Sequence, residues 1–97
     1  MESMVIDDTL VFSFSERLDT LAAMSLQKEI LDSIAAQDKS LAVRFDFAGV
    51  KYIASGFIRI LILVVRMKDK KFSIVNISPP VREILETGYL DRLITMV

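Results

Sequence analysis

The sequence predicts an α/β fold: a small mixed β-sheet with three α-helices, forming a single domain over residues 1–97. Three observations predict it. Runs of period-two apolar alternation take turns with runs of helical spacing, which implies crossover connections and a largely parallel sheet. Asp7-Asp8 lies between the first two strand-like runs and reads as a turn, so these two pair as a hairpin and make the sheet mixed. The chain holds only 3 Gly and 2 Pro, with no internal repeat and no linker, so nearly every residue belongs to an element or a short turn.

The elements follow in order. Met4-Val5-Ile6 is a short strand. From Thr9 to Ser15, Leu10, Phe12 and Phe14 alternate with Val11, Ser13 and Ser15, the pattern of a half-buried strand. Asp19 precedes a helical pattern from Thr20 to Gln37, and its carboxylate is placed to cap the free amides of the first turn. Ala23, Leu26, Ile30 and Ile34 form that helix's apolar stripe. Leu41 to Phe47 is a strand with Leu41, Val43, Phe45 and Phe47 on one side, and Ala48-Gly49 predicts a break after it.

Phe57 to Lys68 is dense enough in Ile, Leu and Val to suit a buried strand, but its length of about twelve residues selects a helix. On that helix Phe57, Leu61, Val64 and Val65 share one face, and Arg59, Arg66 and Lys70 share the opposite one. Lys71 to Ile77 is the next strand. Ser78 caps a third helix that Pro79-Pro80 opens, with Val81, Ile84 and Leu85 facing inward. Gly88 is the expected left-handed stop, Tyr89 and Leu90 pack back, and Leu93 to Val97 closes the chain as a last short strand.

Composition removes whole classes of function. With 0 Cys there is no disulfide, thiol nucleophile or thiolate metal site, and with 0 His the commonest general base and zinc ligand are missing. Catalytic triads, Cys–His dyads and zinc-protease motifs are excluded. Twelve Lys and Arg against 13 Asp and Glu give a net charge of −1, which argues against a nucleic-acid surface built on bulk positive charge. Asp7, Asp8, Asp19 and Asp46 lack the spacing of a calcium loop, and Gly49, Gly56 and Gly88 form no phosphate-cradling loop. The acidic start Met1-Glu2-Ser3-Met4 is unlike a signal peptide, and the longest pure apolar run is Ile60 to Val65. A membrane span needs about 20 such residues. The expectation is a cytoplasmic domain, not inserted in a membrane and not an enzyme, with no cofactor or metal of its own.

The candidate chemistry gathers around Ser55. It stands where a strand hands over to the second helix, followed by Gly56. Two readings are open: a helix cap and nothing else, or a hydroxyl that carries a phosphate beside the positive end of the helix. Ile62 and Leu63, framed by Arg59 and Arg66, form a second candidate. They are either covered by the protein's own loops or available as a docking face for a partner or a second copy.

Four stretches, in order and covering essentially the whole chain, carry a family resemblance. Val50-Lys51-Tyr52-Ile53-Ala54-Ser55-Gly56-Phe57, with Ile58 and the aliphatic run after it, resembles the phosphoacceptor loop of the bacterial anti-sigma factor antagonists, the STAS domains. Glu16-Arg17-Leu18-Asp19 resembles the signature before that family's first helix. Phe45-Asp46-Phe47-Ala48-Gly49-Val50 resembles its central strand, and Ile84 to Leu93 its C-terminal signature. The resemblance implies a STAS-like fold and a binding module that captures an anti-sigma factor serine kinase and so frees a sigma factor. Ser55 is then the phosphoacceptor, with Asp19, Gly56, Phe57, Arg59, Ile62, Leu63 and Arg66 as partner-binding residues.

Three positions depart from the pattern. Ala54 stands where the family usually has Asp, Phe57 where Gly is expected, and Glu16 where the other loop has Gly. Ala54 and Phe57 favour the alternative, a constitutive STAS scaffold docked to an ABC-type transporter ATPase or a signalling assembly, with no phosphorylation switch.

Overall fold

A computed structural model describes all 97 residues. Strand β1 (Glu2–Ile6) pairs antiparallel with β2 (Thr9–Leu18). Helix α1 (Thr20–Ala36), β3 (Ala42–Ile53), α2 (Ser55–Lys68), β4 (Phe72–Val75), α3 (Pro79–Thr87) and β5 (Thr95–Met96) follow, with short 3₁₀ turns at Asp69–Lys71 and Leu90–Arg92. The strand order is β1-β2-β3-β4-β5, and every pair after the first is parallel.

That order fixes the layers. Each crossover steps the same way across the sheet, and with the right hand that parallel crossovers take as a rule this puts α1, α2 and α3 on one face. The other face has no helix over it, and Ser13, Ser15, Arg44 and Ala48 on it are exposed. All the buried side chains are apolar. They come from the inner face of the sheet (Leu10, Phe12, Phe14, Val43, Phe45, Phe47, Phe72, Ile74) and from the helix stripes facing it.

The hairpin turn is tight for a local reason. Asp7 and Asp8 both have positive φ, 47° and 61°, as a two-residue turn matching the twist of its strands requires.

The sequence expectations need four corrections here. Ala48-Gly49 does not end the third strand; β3 runs on to Ile53. Its pairing with β2 shifts between Ser13 and Ser15 and again between Glu16 and Arg17. Each shift inserts an extra residue into β3, so its buried positions pass from Val43, Phe45 and Phe47 to Val50 and Ile53. Gly49 suits the first bulge because a Cβ there would sit 3.3 Å from the Ser15 backbone. Second, the left-handed residue after α3 is Tyr89 (φ 60°), while Gly88 is at φ −86°. Third, Tyr89 is exposed and only Leu90 packs back. Fourth, Ser78 occupies the N-cap position of α3 but donates its hydroxyl to the Val50 carbonyl at 3.3 Å, tying the helix to β3.

Two predictions follow from this backbone. Glu16 is held at φ 60° at the second bulge, a conformation that costs an L-residue about 1 kcal/mol. Glu16→Gly should therefore raise the stability measured by urea unfolding by about 0.5–1 kcal/mol. Asp38 accepts the Ser40 amide at 2.8 Å, and this bond holds its carboxyl below the usual range, helped by Lys68 and Lys71. A lowered folded value adds stability that is present above the unfolded value and lost as pH falls through the folded one. The stability gap between the wild type and Asp38→Asn should hold steady at neutral pH and shrink below about pH 4.

Candidate functional site

The parallel pairing of β2 and β3 brings their C-terminal ends together, with Leu18 opposite Ile53. The Ala54 amide donates to the Leu18 carbonyl at 2.9 Å, which locks the two exits side by side. Helices α1 and α2 therefore begin next to each other at one end of the sheet, the end where parallel α/β sheets place their sites.

Asp19 begins α1. Its backbone is extended, and its carboxylate accepts the Ala22 amide at 2.9 Å. The N-cap of α2 is Ala54, whose carbonyl accepts the amides of Phe57 (3.0 Å) and Ile58 (3.2 Å). Ser55 is one residue further on, inside the first turn. The capping reading of Ser55 therefore fails: the cap position has passed, and no side chain caps this helix. The Ser55 side chain is exposed and takes part in none of the side-chain hydrogen bonds.

Between the two helix starts lies a shallow hollow of about 320 Å³. Thr20, Ala23, Met24 and Gln27 line it from α1, and Ser55, Gly56 and Arg59 from α2. At Gly56 the two helices pack at ordinary contact distance, and a Cβ there would lie 3.5 Å from that of Ala23. Arg59 is exposed, is the only charged residue of the hollow, and has no carboxylate partner; the one ion pair in the molecule is Lys28–Asp32.

The structure separates the other candidates. Phe57 has no exposed surface, so it is not a partner contact and adds no bulk beside the hydroxyl. Its ring packs edge-on against Phe14 at 5.4 Å and lies 6.3 Å from both Phe45 and Phe47. Ile62 and Leu63 are half-buried, and Ile62 rests against the core, so neither forms an open apolar patch. Arg66 is exposed further along α2, away from the hollow. Asp46 also lies outside it, and its Oδ1 accepts from the Ala48 amide and the Asn76 side chain, both at 3.0 Å.

Sequence reasoning missed Leu21 and Met24. Both are 74% exposed on the first turns of α1, and Met24 lines the hollow. They lie off the Ala23, Leu26, Ile30, Ile34 stripe, and two large apolar residues off the buried stripe are the available signal for a contact surface. Tyr52, just before the site, is stacked under the Arg17 guanidinium at 4.4 Å.

The fold is that of the STAS domains. The STAS domain family model matches residues 1–97, and the chain belongs to that family. No curated protein matches the sequence. Among solved structures, an anti-sigma factor antagonist from Mycobacterium paratuberculosis is similar with a TM-score of 0.85 at 23% identity, covering 98% of this chain and 81% of that one. The anti-sigma factor antagonist SpoIIAA in its unphosphorylated form gives 0.80 at 17% identity, covering 99% and 86%. The Bacillus cell fate determinant SpoIIAA in its phosphorylated form gives 0.70 at 16% identity, covering 99% and 89%. No helix is long and apolar enough to cross a membrane.

The Asp19 carboxylate is the side-chain cap of α1. Asp19→Ala should lose about 1 kcal/mol in urea unfolding, and Asp19→Ser, which keeps an acceptor, should recover most of it.

Proposed function

We propose that this STAS domain is an anti-sigma factor antagonist: a binding regulator, not an enzyme, that captures an anti-sigma factor serine kinase and is released when that kinase phosphorylates Ser55. The observation that carries the reading is the free, exposed hydroxyl of Ser55 on the rim of a hollow that exposed Met24 also lines, with Leu21 exposed on the first turn of the same helix α1. The likeness to SpoIIAA, solved in unphosphorylated and phosphorylated forms, supports it.

The unmodified face is polar but uncharged at Ser55, so a partner can cover it without desolvating an ion. The kinase supplies ATP and magnesium. The Ser55 Oγ–P bond forms as the bond between the β-bridging oxygen and the γ-phosphorus breaks; ADP leaves and the hydroxyl proton passes to a base of the kinase. The product carries about −1.5 to −2 charges at a point the partner had covered, and a buried, unpaired charge of that size is prohibitive. The partner is expelled.

Buried Phe57 leaves Ala54 as the remaining departure that favours a constitutive scaffold. The two readings part at one substitution. Ser55→Asp should lower capture of the anti-sigma factor kinase at least about tenfold, an effect of roughly 1.4 kcal/mol, while Ser55→Ala should bind and not release with ATP. Both are read by calorimetry or pull-down. Equal capture of wild type and Ser55→Asp overturns the switch, and capture of an ABC-type ATPase by both forms selects the scaffold.

A further inference from the structure

We propose that Arg59 is a built-in counter-ion for phosphorylated Ser55: the guanidinium one turn along α2 folds onto the phosphate, so that modification also removes a cation from the docking face. The inference rests on the reading of Ser55 as a phosphoacceptor and deepens it.

The geometry carries it. Ser55 and Arg59 are four residues apart on one helix, and both line the same hollow. Positions so spaced hold their Cβ atoms about 6 Å apart, within easy reach of an arginine side chain. The anion stands N-terminal to the cation, the more favourable order for such a pair. Arg59 is exposed and has no carboxylate to leave, since the only ion pair in the molecule is elsewhere on α1. No other charged group lines the hollow to compete for it. The Asp19 carboxylate at the head of α1 is engaged with the Ala22 amide. A guanidinium fork binds two phosphate oxygens at once, which a lysine cannot do.

The consequence is regulatory. In the unmodified protein Arg59 points a positive charge at whatever docks over the hollow. In the modified protein that charge is satisfied internally. One phosphate thus changes two docking groups, and a partner carboxylate that had paired with Arg59 loses its partner.

The test installs phosphoserine at position 55 during expression, so no kinase is needed. The second ionisation of the phosphate is followed by ³¹P NMR in the full chain and in its Arg59→Gln and Arg44→Gln forms. Arg44 lies on the far face of the sheet and controls for net charge. The helix end acts equally on the phosphate in all three proteins, so the difference isolates Arg59. The midpoint should rise by about 0.2 unit or more in Arg59→Gln and stay with the wild type in Arg44→Gln. A rise below about 0.2 unit in Arg59→Gln, or an equal rise in both variants, overturns the proposal. Because the phosphate is supplied directly, this failure is separable from failure of the kinase to modify Ser55.

Discussion

The burial of one ring sets which side of α2 looks outward. Phe57 sits in the first turn of α2 with no exposed surface, held among Phe14, Phe45 and Phe47. A helix turns about 100° per residue, so fixing Phe57 inward places Ser55 and Arg59 each roughly 200° away, on the side turned from the core. The two then stand about 40° apart and look out over the same hollow. Truncating a buried phenylalanine costs about 3–5 kcal/mol, a large part of the stability of a domain this size. The rotation of the helix is therefore held by the hydrophobic core and not by any contact at the site itself.

The second constraint is topological. Because β2 to β5 are laid down in one direction, the helices cover one face and their N-termini line up at one end of the sheet. The Leu18–Ala54 hydrogen bond at 2.9 Å pins the two exits that matter most. Asp19 and Ser55, separated by a whole helix and strand in sequence, become neighbours by this route alone. The bulges in β3 serve the same end. By passing the buried positions from Phe47 to Val50 and Ile53, they keep the strand in contact with β2 up to the point where α2 must start.

The sequence made most of this legible, and the misses have physical causes. Element order, the hairpin, the Asp19 cap and the choice of helix for the segment after Ser55 came from periodicity and end signals, which report backbone geometry directly. The break expected at Ala48-Gly49 failed because a bulge changes the alternation phase just as a strand end does, and only the pairing partner tells them apart. Gly88 failed because glycine permits a left-handed turn without requiring one, and the chain places that turn at Tyr89. The cap expected at Ser55 falls one position earlier, at Ala54. The helix wheel already puts Phe57 on the apolar face, as the core has it, and its reading as a partner contact came from the resemblance alone. Leu21 and Met24 went unnoticed because a helix wheel ranks residues by the stripe they join, and these join none.

These constraints decide how a charge at Ser55 would act. Its side chain faces away from every buried group, and the core beneath is wholly apolar and already packed. A phosphate there meets no side chain whose displacement would open the fold. The proposed switch therefore needs no change of shape in this domain; the same surface is presented before and after, differing in charge. Ala54 sharpens that difference. A carboxylate at position 54 would have offset Arg59 in the unmodified state, leaving the rim near neutral, and would have repelled the phosphate in the modified one. With alanine there, the unmodified rim carries only the positive charge of Arg59, and one modification inverts its sign.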